Sequence, residues 1–177
     1  MDMQTSKRNT NKVIKMKTVE NEIIIRKALL KDFQQLTDLE YSFIVGGSKL
    51  LPKFEKLDYK TKQKLKKHVK QTIRERKSIF FIAAINHEII GFIEGAIQKR
   101  QSFYKQKTIG RALNFTVKKR FRGKGTGKKL FQKLSAWFKK RKVAYIELHA
   151  IKNKKKLEKM YKKWGLLPVE TIFRKPL

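Results

Sequence analysis

The feature that most constrains the fold is an amphipathic helical segment between two strand-like segments. Residues 126–142 carry a set of apolar residues at helical spacing. The set is Leu130, Phe131, Leu134, Trp137 and Phe138. The flanking residues 107–121 and 143–150 contain β-branched and aromatic residues that favour strands. A strand, a crossover helix and a second strand predict a βαβ unit with parallel strands.

The first half of the chain predicts a different arrangement. Residues 78–85 and 88–100 are apolar strands separated by Asn86 and His87, which predicts a hairpin. Two helices come before it, at 31–44 and 59–76, and a strand at 22–29 comes before those. The first helix is expected to have Asp32 as its N-cap and to be broken by Gly46 and Gly47. Its apolar face consists of Phe33, Leu36, Leu39 and Phe43, together with Glu40.

The C-terminal segment predicts a helix at 154–165, ended by Gly165, and a last strand at 170–177. The fold class is therefore α+β, with a mixed, mostly antiparallel central sheet flanked by helices and a C-terminal βαβ-type crossover. Residues 1–20 are expected to form a basic, loosely ordered extension of a single domain at 21–177.

Composition points to an unusually basic protein. The chain has 46 Lys and Arg residues against 14 Asp and Glu, a net charge of +32. Such a charge attracts nucleic acid, an anionic membrane surface or a phosphorylated cofactor, or else reflects a lysine-rich proteome. The chain has no cysteine, no apolar run long enough to cross a bilayer and no N-terminal signal pattern. We therefore expect a cytoplasmic protein without a membrane contact.

The segment "FRGKGTGKKLF", residues 121–131, places three glycines and several cations where a helix begins. Unpaired amides and the positive end of the helix dipole make this a candidate site for phosphate or pyrophosphate. A tight connection without a ligand is the alternative. The spacing is neither that of a P-loop nor that of a dinucleotide-binding loop. The three histidines are far apart in sequence and form no ligand pattern, so no metal site is expected.

This segment resembles the acetyl-CoA signature of the GNAT (GCN5-related) N-acetyltransferases, in the register Arg122-Gly123-Lys124-Gly125-Thr126-Gly127. The stretches "IIIRKALLKDFQQLTDL", "EIIGFIEGAI" and "MYKKWGLLPV" are similar to other elements of that family. The resemblance implies acetyl-CoA as cosubstrate, with its pyrophosphate on the glycine loop and its pantetheine along the preceding strand. The implied cofactor-binding residues are Phe115, Thr116, Val117, Arg122, Gly123, Lys124, Gly125, Thr126, Gly127 and Lys128.

The resemblance also implies catalytic roles. Tyr161 matches the tyrosine that the family commonly uses as general acid; a core aromatic is the alternative. Many relatives place a carboxylate where this chain has Asn114, which cannot act as a base. Glu94 on the neighbouring strand is the candidate base, with a strand-surface carboxylate as the alternative, and a water-mediated base is also left open. Asn114→Asp is expected to be tolerated.

The expected function is therefore an N-acetyltransferase that moves an acetyl group from acetyl-CoA to a primary amine by direct attack in a ternary complex. The acceptor is left open between a small molecule and a protein amine. The alternative is a basic nucleic-acid- or ribosome-associated binding protein on the same fold, with reduced or lost activity. A homodimer is also left open.

Overall fold

A computed structural model of the chain describes residues 22–50, 55–150 and 155–175. Within them, a five-stranded sheet has its strands in sequence order. The first four strands pair antiparallel, and the fifth runs parallel to the fourth, which confirms the predicted mixed sheet with a βαβ crossover. The strands are β1 (Ile24–Lys27), β2 (Ser78–Ile85), β3 (Glu88–Lys99), β4 (Thr108–Val117) and β5 (Ile146–Leu148).

Helices cover both faces of this sheet. The helices are α1 (Phe33–Ser48), α2 (Thr61–Arg74), α3 (Thr126–Lys140) and α4 (Lys155–Lys163). Leu36 of α1 and Val69 of α2 pack on one face, against Phe80 and Phe92. The apolar stripe of α3, centred on Leu134, packs on the other face. Alternation along the strands sends neighbouring residues to these two layers, so the chain has a core on each side of the sheet.

The β2–β3 hairpin is confirmed in detail. Asn86 and His87 both have positive φ angles, 44° and 69°. Two consecutive residues in the left-handed region form the two-residue turn whose twist matches that of the flanking strands. Both residue types tolerate that region better than β-branched residues do.

One prediction about α1 was wrong, and a second was right in position only. The helix continues through Gly46 and Gly47 to Ser48, because glycine weakens a helix by about 1 kcal/mol but does not block its hydrogen bonds. Asp32 is the N-cap residue of α1, as predicted, but its carboxylate makes no capping hydrogen bond to this helix. Instead it accepts the Leu29 amide at 2.7 Å and both terminal nitrogens of Arg26, at 2.6 and 2.8 Å.

The predicted last strand was also wrong. Residues 166–175 form neither helix nor strand, and residues 176–177 lie outside the described part. Leu167, Val169 and Phe173 are exposed by 79%, 80% and 88%. A strand is stable only beside a partner, and β5 offers three residues as an edge. The expected N-terminal extension, residues 1–20, lies outside the described residues. In the part of the chain that the structure describes, no helix is both long and apolar enough to span a membrane.

Candidate active site

The glycine loop forms a turn that leads directly into α3. Gly123 and Gly125 have φ angles of 80° and 78°, a conformation that other residues adopt at a cost. Gly125 is the N-cap of α3. A Cβ at Gly127 would lie 3.2 Å from the ring of Phe115. The loop therefore lies close against β4, and its shape depends on glycine.

The start of α3 carries polar groups that lack protein partners. The first helical hydrogen bond of α3 joins the Lys129 amide to the Gly125 carbonyl at 3.1 Å. The amides of residues 126–128 precede it, so they have no helical carbonyl to which they can donate. The Thr126 side chain is 1% exposed, and its hydroxyl has no hydrogen-bond partner within the described residues. A buried hydroxyl without a partner is costly and is expected where a ligand binds. Together with the helix dipole, these groups fit an anion.

The cations of the loop are not all equivalent. Lys124 and Lys128 are exposed, as expected for side chains that meet a dissolved anion. The Nε of Arg122 instead donates to the Val117 carbonyl at 2.8 Å, so that the guanidinium is bound to the end of β4. Arg122 therefore joins the loop to the strand before it.

β4 separates from β5 next to this loop. The two strands pair over three positions, Gly110 to Ile146, Arg111 to Glu147 and Ala112 to Leu148. Beyond Ala112 the β5 side of β4 has no ladder partner in the described strands, and residues 115–117 lie in this stretch. The strand predicted at 107–121 ends at Val117 in the structure, and a 3-10 turn follows at Lys119–Phe121.

Tyr161 lies near the same region, through Trp164. The Trp164 ring stacks on Phe131 of α3 at 5.2 Å and lies 6.0 Å from Phe115 of β4. The Tyr161 ring meets Trp164 edge-on at 5.7 Å. Burial raises the pKa of the Tyr161 hydroxyl. An unionised phenol can donate a proton, and Trp164 links this one to Phe115 of β4.

The helix that carries Tyr161 ends as the sequence predicted. Gly165 has a φ of 84°. The Leu166 amide donates to the Tyr161 carbonyl at 3.1 Å, and the Gly165 amide donates to the Lys162 carbonyl at 3.0 Å. These two bonds form a Schellman motif, which fixes the last turn of α4 and thereby the position of Tyr161.

A second polar group lies under α1 and α2. Glu94 of β3 is 1% exposed, so the alternative of a strand-surface carboxylate does not hold. Opposite Glu94, β4 contains a bulge: Ile93 pairs with Phe115 and Gly95 with Ala112, so one residue faces two, Leu113 and Asn114. Bulges of this kind redirect side chains and are common beside active sites.

Asn114 joins two buried carboxylates at this bulge. Its Nδ2 donates to Oε2 of Glu94 and to Oε1 of Glu40, each at 2.9 Å. Glu40, from the apolar face of α1, is 0% exposed, and its Oε2 has no partner within the described residues. The Nε2 of His68, on α2, lies 2.7 Å from Oε1 of Glu94.

The electrostatics of this acidic cluster (Glu40, His68, Glu94 and Asn114) follow from burial. Burial, together with the charge of Glu94, raises the pKa of Glu40 to about 7. The hydrogen bond to Glu94 raises the pKa of His68 above its ordinary value, and burial opposes this increase. The cluster can therefore take up and release protons near neutral pH.

The same cluster is the candidate group for a cation. One donor atom each from Glu40, His68 and Glu94 lie within 4.8 Å of one another. The 2.7 Å separation of His68 and Glu94 is shorter than the roughly 3.3 Å between two ligands of a tetrahedral zinc ion. The side chains are therefore arranged as a hydrogen-bonded pair rather than as a set of metal ligands.

The predicted residues thus form two groups. The first group lies around the start of α3 and consists of loop residues 122–128, residues 115–117 of β4 and Tyr161. Glu94 and Asn114 lie together in the acidic cluster. Within the described residues, no hydrogen bond, ion pair or ring contact joins Glu94 to Tyr161. Sequence reasoning missed Glu40 and His68 as members of the cluster, although a carboxylate on the apolar face of a helix was a signal for Glu40.

Comparison with solved structures supports the fold. A transcriptional regulator from Bacillus halodurans C-125 superposes with a TM-score of 0.70 at 16% identity, over 87% of this chain and 99% of that one. A predicted acetyltransferase from Clostridium acetobutylicum, solved with acetyl-CoA, gives 0.69 at 20% identity, over 87% and 96%. The aminoglycoside N-acetyltransferase AAC(6′)-Iy, bound to a bisubstrate analogue of CoA and an acetylneamine, gives 0.69 at 14% identity, over 87% and 98%.

Sequence comparison gives the family. No curated protein sequence matches this chain significantly. Residues 41–166, which include α2, the β2–β3 hairpin, the glycine loop and Tyr161, match the family model described as acetyltransferase (GNAT) family. Because this match covers more than half of the sequence and agrees with the fold, the chain belongs to the acetyltransferase (GNAT) family.

Proposed function

We propose that this protein is an acetyl-CoA-dependent N-acetyltransferase that acetylates a primary amine by direct attack. The observation that carries the proposal is the start of α3, where the amides of residues 126–128 and the orphaned Thr126 hydroxyl lie beside the open edge of β4. Family structures solved with CoA or acetyl-CoA support this cosubstrate. When bound, it supplies an activated acetyl thioester.

The chain's own groups fit the two polar parts of this cosubstrate. The amides of the glycine loop and residues 126–128 would bind the pyrophosphate, with Lys124 and Lys128 adding charge. The backbone of residues 115–117 would pair with the pantetheine amides, since it has no strand partner on the β5 side. Both roles are proposals that rest on backbone groups without strand partners, and the Val117 carbonyl, which accepts from Arg122, is not among the free groups.

The proton-transfer roles go to Glu94 and Tyr161. Glu94 would accept the proton of the amine, because it is a buried carboxylate held at the β4 bulge. Tyr161 would protonate the departing thiolate, because a phenol carries its proton at neutral pH and can donate it. On this proposal, the acceptor and the thioester would lie between Glu94 at the β4 bulge and Tyr161 beside Trp164.

The acceptor is proposed to be a small-molecule or protein amine. The solved aminoglycoside N-acetyltransferases show that this fold carries enzymes of amine acetylation. A net charge of +32 also supports docking on RNA or the ribosome, to be tested as RNA binding that weakens steeply as salt increases. A homodimer remains a proposal that light scattering can test.

The proposal is tested by titrating the protein with acetyl-CoA in a calorimeter. Gly125→Glu adds bulk and negative charge at the N-cap of α3, so we expect affinity to fall by roughly 100-fold or more. Gly46→Glu is the matched control, because a Cβ there meets nothing within 4 Å. Wild-type protein is then assayed for CoA release with a panel of primary amines. Equal affinity in the Gly125→Glu variant, or no acetylated amine, contradicts the proposal.

A further inference from the structure

The proposed reaction creates a proton that has to leave a buried site. An acceptor that arrives as an ammonium forms a new N–C bond while the C–S bond breaks and CoA leaves as a thiol. The ammonium loses two protons in becoming an amide. One replaces the proton that Tyr161 gives to the CoA thiolate, and the other is released, so on balance one proton is released for each acetyl group transferred. Glu94 is 1% exposed, so it cannot return that proton to water directly.

One oxygen of Glu94 faces a group that cannot carry the proton. Oε2 accepts the amide of Asn114, and the same nitrogen donates to Glu40. A side-chain amide donates a hydrogen bond but does not take up a proton at neutral pH. Glu40 is 0% exposed and gives no path to solvent either.

The other oxygen of Glu94 faces His68. Oε1 lies 2.7 Å from Nε2, while the His68 side chain is 43% exposed. The imidazole therefore has one nitrogen inside the cluster, while part of the side chain is open to solvent. The ring is held edge-on against Phe80 of β2, 6.2 Å between centroids. Among the described residues, His68 is the group that joins Glu94 to solvent.

We propose that His68 is the proton outlet of the base and positions the Glu94 carboxylate. The proton that Glu94 takes from the amine passes from Oε1 to Nε2, and the imidazolium then releases a proton to water from its exposed side. Glu94 is left ionised for the next acceptor. The role rests on the proposed function, since without an ammonium acceptor there is no proton to remove.

The surroundings of His68 suit this task. The carboxyl groups that face it are Glu94 from β3, Glu40 from α1 and Glu75 from α2, and each stabilises the imidazolium when it is ionised. Imidazole changes its charge near neutral pH, so it can both accept and release a proton under ordinary conditions. The pairing with Glu94 thus combines a buried base with an exchangeable surface group.

The test compares two variants that separate positioning from proton transfer. His68→Ala removes both, and His68→Gln keeps an amide that can hold Glu94 but cannot relay a proton. We expect kcat to fall roughly 100-fold in both variants, with unchanged affinity for acetyl-CoA. Added imidazole should restore much of the activity of His68→Ala. His149→Ala, which removes an exposed histidine paired with Arg111, should leave kcat and its imidazole dependence unchanged.

The outcomes are distinguishable. If the wild-type enzyme is active and either His68→Ala or His68→Gln has the kcat of wild type, the role of His68 as proton outlet is overturned and the proposed function stands. A loss in His68→Ala that imidazole does not restore also overturns it. If wild-type protein binds acetyl-CoA but acetylates no amine, the proposed function fails and the outlet fails with it. NMR titration of His68 checks the contact without turnover: its pKa should fall in Glu94→Gln.

Discussion

The two faces of the central sheet are packed in different ways. The α3 face is a continuous apolar layer, in which Leu130, Leu134 and Phe138 of α3 are 0–1% exposed and contact apolar strand residues. The α1 and α2 face has an apolar layer too, but it also buries Glu40 and Glu94, joined by Asn114. The difference teaches that one face consists mainly of apolar packing that stabilises the fold, while the other face buries titratable side chains at a cost in stability.

The physical cost of the second arrangement is large. Removing a carboxylate from water is unfavourable unless hydrogen bonds or proton uptake compensate it. Here Asn114 and His68 supply hydrogen bonds to Glu94, and Glu40 retains its proton up to near-neutral pH. An apolar pair would be cheaper to bury at the same place. Three experiments can break or sharpen this comparison.

The largest effect is expected for Tyr161→Phe. This variant tests whether a residue on the α3 side of the sheet takes part in the proposed reaction. The ring and its contact with Trp164 are retained, so only the hydroxyl is lost. We expect kcat to fall by roughly 10²–10⁴-fold with nearly unchanged affinity for acetyl-CoA, measured by steady-state kinetics and calorimetry. Tyr145→Phe, at a 38% exposed tyrosine, is the control. Wild-type turnover in Tyr161→Phe would assign this residue to packing.

Phe138→Ala tests the apolar face. Its ring is 1% exposed and lies so close to β4 that a Cβ at Gly110 would come within 2.7 Å of it. Truncation should lower the free energy of unfolding by about 3–5 kcal/mol, measured by urea denaturation. The control is Phe103→Ala, at a ring that is 74% exposed, where a change within about 0.5 kcal/mol is expected. If both variants lose a similar free energy of unfolding, the conclusion that the α3 face mainly stabilises the fold is contradicted.

Glu40→Gln tests the polar face through pH. The pKa of Glu40 is about 7 in the folded protein and 4.5 is its ordinary value, so the folded state binds more protons between these pH values. Its contribution to the free energy of unfolding therefore falls as pH rises through this window. Glutamine stays neutral, so the variant should gain stability over wild type between pH 4.5 and 7, on the order of 3 kcal/mol across the window.

The measurement is urea denaturation of both proteins across this pH range. Glu158→Gln is the matched control, because Glu158 is an exposed α4 carboxylate paired with Lys162, and its difference from wild type should stay nearly flat. If the difference in free energy of unfolding between Glu40→Gln and wild type does not change with pH, Glu40 ionises in the folded protein at no cost in stability.

Much of the fold could be predicted from the sequence, because its signals are local. The hairpin at Asn86 and His87, the stripe of α3 and the stop at Gly165 each depend on neighbouring residues, and all three were confirmed. The predictions that failed, wholly or in part, depend on competition between partners. The Asp32 carboxylate bonds Arg26 and the Leu29 amide instead of the first turn of α1, and residues 170–175 lack a strand to pair with.

The candidate site divides in the same way. The glycine loop is contiguous in sequence, so its residues could be found by their spacing. The acidic cluster joins α1, α2, β3 and β4, and no periodicity links Glu40 to His68 or Glu94. Asn114 shows the consequence. The sequence favours tolerance of Asn114→Asp, whereas the two hydrogen bonds that its amide donates indicate that a third carboxylate there would be repelled by the other two.

The early separation of β4 from β5 has a consequence for the lifetime of the folded protein. If acetyl-CoA pairs with residues 115–117 as proposed, it takes the place of a missing strand, and its binding energy adds to the stability of this corner of the sheet. Acetyl-CoA at a free concentration 100 times its dissociation constant would then add about 2.7 kcal/mol to the free energy of unfolding. On that proposal, the corner would open most readily when acetyl-CoA is scarce, which would tie the protein's susceptibility to proteolysis to the acetyl-CoA supply of its surroundings.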